Sequence, residues 1–293
     1  MKDLDMKRIF IVGCPRSGTT LLQSFLASHP QIESFPESHL FTRLLRKRAP
    51  YQNYLNLASS RAKLQFYKFL EDINQPELGS YLPFYFIFIS QYVKAFTRVL
   101  DEVALSVNKD CWLEKTPDHV LHTDVIEKYI QNAKFIHIVR DGVDVVASLY
   151  DVAQQYPDDW HGPWSLDKCI KTWTSCTTAS LEKLEHPNHY LVTYDQLVHA
   201  PHSTLANISH FIELPIDYTE LKAARLVQRG IVLDKESWKS MSDQPLYVNE
   251  KRQKFNALFS HEQQAYILKS LEQFTTLNPR YSELGFSSIL VNV

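Results

Sequence analysis

Glycine is scarce in this sequence, with only seven residues in 293, against the ~7% that is usual. The four cysteines lie far apart without a CxxC or Cys/His spacing, which argues against a structural zinc and against a disulfide framework. Neither sign of charge dominates, because 31 basic residues face 33 acidic ones and the formal net charge is -2. A general electrostatic attraction to nucleic acid or to a membrane surface is therefore excluded, and any anion site must be local.

Long apolar runs are also missing. The longest, Leu82 to Ile89, is followed at once by Ser90 and Gln91, far short of the ~20 residues that a spanning helix needs. The run Ile9 to Val12 is too short for the core of a signal peptide. We therefore expect no membrane span and a reducing, cytoplasmic location. The sequence does have 44% hydrophobic residues, enough to bury a substantial core, which excludes disorder and fibrous structure.

Three short strands, each followed by a loop and a helix, are predicted. Arg8 to Val12 precede a Gly-containing loop and a helical pattern, and Phe135 to Val139 precede a turn and a second helix. Tyr190 to Thr193 precede a helix around Thr204 to Phe211. This alternation indicates an α/β fold, with a mostly parallel sheet flanked by helices as in the P-loop NTPases.

The segment 38–132, between the first two of these strands, is predicted to be a helical insertion packed beside the sheet. The C-terminal third is also predicted to be mainly helical, with Glu262 to Phe274 as its clearest helix. No internal repeat or low-complexity linker is present, so residues 1–293 are interpreted as a single domain.

The loop at residues 13–20, Gly-Cys-Pro-Arg-Ser-Gly-Thr-Thr, has the GxxxxG spacing of a P-loop between a strand and a helix. Backbone N–H groups of such a loop converge on an anion at a helix N-terminus. Thr19 stands where a nucleoside triphosphatase has its lysine, and the positive charge comes instead from Arg16. A guanidinium suits a phosphate or a bridged phosphosulfate, and a kinase is disfavoured. The structural alternative is a turn that only joins a strand to a helix.

Five motifs occur in order between residue 8 and about residue 215. They are Pro15-Arg16-Ser17-Gly18-Thr19-Thr20, His29-Pro30 with Pro36-Glu37, Glu114-Lys115-Thr116-Pro117, residues 135–142 with Ser148, and Tyr194 to Val198 near Pro201. Together they resemble the sulfotransferases that use 3'-phosphoadenosine-5'-phosphosulfate (PAPS), in the branch that contains the tyrosylprotein sulfotransferases and many bacterial relatives. The insertion and the C-terminal third match this pattern only loosely.

The resemblance implies that PAPS is the co-substrate and that the loop binds its 5' end. The implied loop contacts are Arg16, Ser17, Gly18, Thr19 and Thr20. It also implies that Arg140 and Ser148 bind the 3'-phosphate, and Arg140 follows a strand at the sheet edge where open α/β folds bind ligands. The alternative is that Arg140 pairs with Asp141 or Asp144 and that Ser148 is solvated.

Two other segments are candidates for donor contacts. Tyr194 follows the third strand at the same sheet edge, and the resemblance places it near the nucleotide; a core tyrosine is the alternative. Lys251 and Arg252 lie where the family often closes a basic lid over the donor, although the commoner Gly-and-Trp pattern is absent there. A solvated charged face is the alternative for this pair.

Sulfuryl transfer is an in-line displacement at sulfur. It needs a base for the acceptor hydroxyl and positive groups for the charge on the leaving phosphate, and it requires no metal. Glu37 matches the glutamate position of the family and is the candidate base, with a surface carboxylate as the alternative. His39, His119 and His122 are the runner-up bases, because another branch of the superfamily uses histidine.

Lys115 precedes Thr116-Pro117, a helix-start signature with Thr as the cap and Pro as the first helical residue. Its ammonium is thus expected near a helix N-terminus, which attracts anions. We assign Lys115, with Arg16 as its partner, to the leaving-group oxygen or the sulfuryl group. The alternative is an exposed lysine in a weak ion pair with Glu114.

The sequence thus predicts a PAPS-dependent sulfotransferase that modifies a hydroxyl. Small molecules, lipids, sugars and carrier-bound groups stay open as acceptors, and the insertion 38–132, with its aromatic residues between Tyr81 and Phe96, is expected to form part of the acceptor site. No metal and no nucleic-acid partner are expected, and a homo-oligomer stays open. The alternatives are a small-molecule kinase, which lacks support from a loop lysine, and a non-catalytic nucleotide-binding protein, against which Glu37 and Lys115 speak.

Overall fold

Five parallel strands form the centre of the fold in a computed structural model that describes residues 6–45, 55–82, 85–225 and 252–285. The strands are β1 (Lys7–Gly13), β2 (Ile32–Phe35), β3 (Cys111–Lys115), β4 (Ala133–Val139) and β5 (His189–Thr193). Their order across the sheet is β2-β3-β1-β4-β5, and each neighbouring pair is parallel. All five carboxyl ends therefore lie at one edge of the sheet.

Helices cover both faces of this sheet, which confirms the predicted α/β class. They are α1 (Thr19–Leu26), α2 (Leu40–Leu44), α3 (Arg61–Asp72), α4 (Ile89–Ser106), α5 (Thr123–Tyr129), α6 (Gly142–Gln155), α7 (Leu166–Leu181), α8 (Tyr194–His199), α9 (Pro201–Ile212), α10 (Tyr218–Arg225), α11 (Gln253–Leu258), α12 (His261–Leu277) and α13 (Pro279–Glu283). Two 3-10 helices, Pro76–Tyr81 and Pro117–His122, join them. The described C-terminal part is helical, as predicted.

The alternation of side chains along β1 divides the core in two. Ile9 and Ile11 face a smaller cluster that includes side chains of α1 and α9. Phe10 and Val12 face a larger cluster built with α3, α4, α6, α7 and α12. Phe10 stacks on Phe135 with 5.4 Å between the ring centroids. Since both faces are buried, β1 contains the continuous apolar run Ile9 to Val12, as is usual for strands of parallel sheets.

The described residues of the insertion 38–132 are mainly helical, but they include a strand that the sequence pattern did not predict. Strand β3 lies within it and pairs with both β1 and β2. Its sequence, Cys-Trp-Leu-Glu-Lys, ends in two charged residues, and the pattern therefore lacks a continuous apolar run. All five of its residues are buried, because Glu114 accepts hydrogen bonds from Ser38 and Thr116 and Lys115 pairs with Glu37.

In the described part of the chain, no helix combines the length and the apolar character needed to cross a membrane. The four cysteines, at positions 14, 111, 169 and 176, are buried free thiols.

Gly18 is held where a larger residue does not fit. It precedes α1 with φ of 96°, a left-handed conformation, and a Cβ atom there would lie 2.5 Å from Cδ2 of Tyr194. We expect Gly18→Ala to lower the free energy of unfolding by about 1–3 kcal/mol, measured by urea unfolding. Gly162→Ala is the matched control, because Gly162 has φ of 93° but no atom within 4 Å of the place where its Cβ would lie. Equal losses in the two variants would show that Tyr194 does not constrain the loop.

Candidate active site

Each of the five strands delivers one candidate side chain to the carboxyl edge of the sheet. Arg16 lies in the loop after β1, Glu37 follows β2, and Lys115 is the last residue of β3. Arg140 follows β4 directly, and Tyr194 follows β5. Parallel pairing thus gathers residues that are up to 178 positions apart, the difference between 194 and 16, at one edge.

Arg16 lies at the centre of the loop between β1 and α1. Its backbone is in a left-handed conformation with φ of 72°, and its Nε donates to Oγ of Ser148 at 3.1 Å. Burial and the neighbouring charge of Arg140 lower the pKa of Arg16 below the ordinary value of a guanidinium, while Asp151 and Glu37 oppose this shift. The structure therefore brings Arg16 and Ser148 together and places a second positive charge nearby.

Arg140 lies over the ring of Tyr194, with the guanidinium carbon 4.3 Å from the ring centroid. It also contacts Asp144 at 3.5 Å, so one ion pair of the structural alternative exists. Tyr194 is half-buried between Arg140 and Gly18 and is not a core residue. Among the described residues, two buried donors at this edge have no hydrogen-bond partner, Nε of Arg140 and Oγ of Ser17. Such donors fit the oxygens of a phosphate group.

The segment before α11 approaches the same edge. The backbone N–H of Arg252 donates to Oδ1 of Asp144 at 3.0 Å, and the other oxygen of that carboxylate contacts Arg140. The carboxylate of Asp144 thus connects the backbone of Arg252 to the side chain of Arg140. Lys251 lies outside the described residues.

Glu37 and Lys115 form a buried ion pair. Oε1 of Glu37 lies 2.5 Å from Nζ of Lys115, and the two side chains are 10% and 2% exposed. Nζ of Lys115 also lies 3.4 Å from Oγ1 of Thr20, at the start of α1. Oε2 of Glu37 lies 3.4 Å from Nε2 of His39, which is 43% exposed. The alternative of an exposed Lys115 paired with Glu114 is therefore wrong, and Glu37 is not an exposed surface carboxylate.

Glu114 is a buried carboxylate to which the sequence pattern assigned no role of its own. Its Oε1 accepts hydrogen bonds from the backbone N–H of Ser38 at 3.1 Å, from Oγ of Ser38 at 2.8 Å and from Oγ1 of Thr116 at 2.5 Å. Its Oε2 lies 3.1 Å from Nδ1 of His119. Because Ser38 follows Glu37 in the chain, this network fixes the backbone that carries the candidate base.

Two expectations change with this network. Thr116 precedes the 3-10 helix with Pro117 at its first position, but its hydroxyl donates to Glu114 and does not cap the helix. His119 is fully buried, with one ring nitrogen at Glu114 and the other accepting from the backbone N–H of Phe41 at 3.3 Å. An acceptor molecule does not reach it there. His122 ends the same 3-10 helix and is half-buried.

We expect Glu114→Gln to lower the free energy of unfolding by roughly 3–5 kcal/mol at pH 7, because it leaves the donors around this buried site without their carboxylate. Burial alone would raise the pKa of Glu114, but His119 and the hydroxyl hydrogen bonds outweigh it and the pKa is lowered. The stabilisation is then complete above the ordinary glutamate pKa of about 4.3 and is lost as the pH falls below it.

Urea unfolding at several pH values checks this prediction, and the difference between the variant and the original protein should shrink only in acid. Glu33→Gln is the matched control. Glu33 pairs with Lys109 where both side chains are about a quarter exposed, at 26% and 25%, so its loss should cost less than about 1 kcal/mol. A Glu114→Gln variant no less stable than this control would contradict the proposed importance of the network.

Comparison with known proteins places these features in a family. A model described as "Sulfotransferase family" matches residues 8–218. Protein-tyrosine sulfotransferase A of Caenorhabditis elegans is 23% identical over 228 residues, which cover 77% of this chain and 54% of that protein. Protein-tyrosine sulfotransferase 1 of Danio rerio is 26% identical over 235 residues, which cover 79% and 60%. The chain spans about half the length of the curated relatives it matches.

Solved structures share the fold. The sulfotransferase domain of the Synechococcus PCC 7002 olefin synthase has a TM-score of 0.57 at 21% identity, covering 92% of this chain and 94% of that domain. Mouse sulfotransferase SULT7A1, solved in complex with PAP, has a TM-score of 0.52 at 13% identity, covering 95% and 87%. The family match over residues 8–218 takes in all five strands and their carboxyl ends, and this chain therefore belongs to the sulfotransferase family.

Proposed function

We propose that this protein transfers a sulfuryl group from PAPS to a hydroxyl acceptor, with Glu37 as the general base. The observation that carries the proposal is the buried Glu37–Lys115 pair, which lies at the same sheet edge as two arginines and a phosphate loop. A carboxylate and an ammonium side by side are the groups that deprotonate a hydroxyl and neutralise a leaving phosphate. A non-catalytic nucleotide-binding protein has no need to bury this pair.

The donor would bind along the strand ends from β1 to β5. Arg140 and Ser148 suit the 3'-phosphate, and the unpartnered Nε of Arg140 supports this assignment. Residues 17–20 offer backbone N–H groups and hydroxyls at the start of α1 for the 5' end. Arg16 contacts Ser148, and the charge of Glu37 acts on the pKa of its guanidinium. We therefore assign Arg16 to the region between the two ends of the donor. The PAP complex of the mouse fold neighbour agrees with a bisphosphate ligand of this class.

In the proposed reaction, Glu37 accepts the proton of the acceptor hydroxyl as that oxygen bonds to sulfur. Oε1 is engaged by Lys115, so Oε2, on the side of the half-exposed His39, is the oxygen that we assign to the acceptor. When bound, PAPS supplies the sulfuryl group and the phosphate leaving group. Lys115 and Arg16 stabilise the negative charge that develops on the leaving oxygen. His39 is assigned to orienting the carboxylate of Glu37.

The acceptor would enter from the side of the helical insertion. Nε2 of Gln65, on α3, donates to the carbonyl oxygen of Ser38 at 2.7 Å, which ties the insertion to the segment of Glu37. The same helix carries Lys63 and Tyr67, which line a cleft of about 630 Å³ together with Phe86. Of the aromatic residues between positions 81 and 96, Tyr92 and Phe96 are core residues. The acceptor wall is therefore proposed to be the side of α3 that carries Gln65, whereas Lys63 and Tyr67 lie on the other side of this helix.

A small-molecule kinase is the second candidate, and the position of Thr19 disfavours it because the loop lacks the lysine of that class.

The four free thiols support the cytoplasmic location expected from the sequence, since oxidising compartments favour disulfides.

The donor assignment predicts selectivity for the 3'-phosphate. Adenosine 3',5'-bisphosphate should bind much more tightly than 5'-AMP or ATP in calorimetry with EDTA present. Arg140→Ala should weaken binding of the bisphosphate by about 1.5–3 kcal/mol, the value of a charge-assisted contact, and should leave 5'-AMP binding unchanged. Equal affinity of the original protein for 5'-AMP would contradict the roles of Arg140 and Ser148, and a strict magnesium requirement would favour the kinase.

The base assignment predicts a selective loss of turnover. Glu37→Gln keeps the volume of the side chain but does not take up a proton at neutral pH, so turnover should fall by ~10² to 10⁴. Donor binding should be retained, because the ammonium of Lys115 is then released from its ion pair. Single-turnover rates with PAPS and a generic phenol measure this effect, and a more acidic phenol should partly restore the rate.

Glu33→Gln is again the matched control, and its turnover should equal that of the original protein. If Glu37→Gln retained near-normal turnover on a poorly acidic alcohol while His39→Ala abolished it, the histidine and not the glutamate would be the base.

A further inference from the structure

A second cluster of titratable side chains lies at the opposite, amino edge of the sheet. It consists of Glu127 on α5, His186 in the turn before β5, and His189, the first residue of β5. One potential ligand atom from each residue, two imidazole nitrogens and a carboxylate oxygen, lies within 4.8 Å of the other two. The proposed transfer reaction uses none of these residues, so the cluster requires a separate explanation.

The spacing of these atoms matches that of ligands around a small tetrahedral cation. Nε2 of His189 lies 3.2 Å from Oε2 of Glu127, and Nδ1 of His186 lies 3.5 Å from Oε1 of the same carboxylate. Zinc bonds of about 2.0–2.1 Å at tetrahedral angles put neighbouring ligand atoms about 3.4 Å apart. Each of the two separations, measured to a different oxygen of Glu127, is close to this value, and one ligand atom from each residue lies within 4.8 Å of the other two.

Nε2 of His189 is the buried atom of this cluster that a metal ion would stabilise most. The side chain of His189 is 1% exposed, and its Nε2 makes no well-aligned hydrogen bond to any described residue, although Glu127 lies next to it. A buried ring nitrogen left in this way is unfavourable. A metal ion bonded to Nε2 and to Glu127 removes that penalty.

The second ring nitrogen of His189, Nδ1, lies within hydrogen-bond distance of another buried histidine, and a partner at this nitrogen is common for metal-binding histidines. This Nδ1 lies 2.8 Å from Nε2 of His137 on β4, and Nδ1 of His137 lies 3.1 Å from Oγ of Ser180 on α7. When Nδ1 of His189 donates its proton to His137, Nε2 carries the lone pair that a metal needs. Hydrogen bonds of this kind orient metal-binding histidines and fix their tautomer.

His186 is the third candidate ligand, and its exposed side chain lies on the side from which a metal ion would reach the cluster. Its Nδ1 accepts a long hydrogen bond from the backbone N–H of Asn188 at 3.4 Å, and a metal ion at this nitrogen would replace that hydrogen bond, because the ring nitrogen has a single lone pair. The side chain is 42% exposed, which leaves room for a metal ion to enter and for a water molecule as the fourth ligand. Lys183 also lies 3.5 Å from Oε2 of Glu127, but its closer partner is Asp124 at 2.5 Å.

We propose that Glu127, His186 and His189 form a zinc site that pins α5 to the start of β5, at the edge of the sheet away from the transfer chemistry. Two imidazoles and one carboxylate favour zinc over magnesium or calcium, which prefer oxygen ligands. The cysteine spacing that argues against a structural zinc does not bear on this cluster, which contains no cysteine. Its three ligands come from two separate segments of the chain and have no short sequence signature.

Titration of the metal-free full chain with zinc chloride tests the proposal, using calorimetry and thermal unfolding. One equivalent should bind and should raise the unfolding temperature. Glu127→Gln and His186→Ala should each weaken zinc binding by about tenfold or more and abolish the thermal shift. His199→Ala, at an exposed histidine that ends α8, is the matched control and should bind zinc like the original protein. Cobalt(II) should give the intense visible bands of a four-coordinate ion, and these should be lost in His186→Ala.

The proposal is overturned if the metal-free protein takes up no stoichiometric zinc. It is equally overturned if Glu127→Gln and His186→Ala bind zinc as tightly as the original protein. Far-ultraviolet circular dichroism shows whether each variant is folded, and the exposed position of His186 makes His186→Ala the safer of the two.

Discussion

The parallel alignment of the five strands is the constraint on which the candidate site depends. It brings together residues from five separate chain segments. Their positions are set by the backbone pairing of the strands and do not depend on ion pairs between distant residues. Reversing a strand would move its terminal residue to the other edge, where Glu127, His186 and His189 lie. The two edges therefore have different chemistry. The hydrogen-bond donors and positive charges that suit an anion come after the ends of the strands, whereas His186 and His189 lie at the start of β5.

Two groups of charged side chains lie at the carboxyl edge. Arg16 and Arg140 carry charges of the same sign, whereas Glu37 and Lys115 carry opposite charges. Burial and the nearby charge of Arg140 both disfavour the charged form of Arg16. Such a site binds an anion well because the anion relieves the repulsion. Glu37 and Lys115 balance each other, and this pair is buried without a net charge. One group is thus suited to binding and the other to moving a proton.

The buried network of Glu114 links the fold to the proposed chemistry. It connects β3 to the segment that follows β2, through Ser38, and to the 3-10 helix, through His119. A carboxylate with several hydrogen-bond donors tolerates burial only while all of them are in place. The position of Glu37 is thereby coupled to the packing of the sheet, although Glu114 itself is fully buried.

The sequence by itself determined the α/β class, the glycine-containing loop after β1, and the order of the motifs that carry Arg16, Glu37, Lys115, Arg140 and Tyr194, because strand periodicity, glycine spacing and short motifs are local properties. It did not reveal β3 as a strand, because the strand ends in Glu114 and Lys115, whose burial depends in part on Ser38 and Glu37, 76 and 78 residues away in the sequence. Tertiary structure alone decided that Lys115 pairs with Glu37, that Arg16 meets Ser148, and that Glu127 faces two histidines. Each of these contacts joins residues from distant segments, and their geometry exists only once the parallel sheet has set the strands side by side.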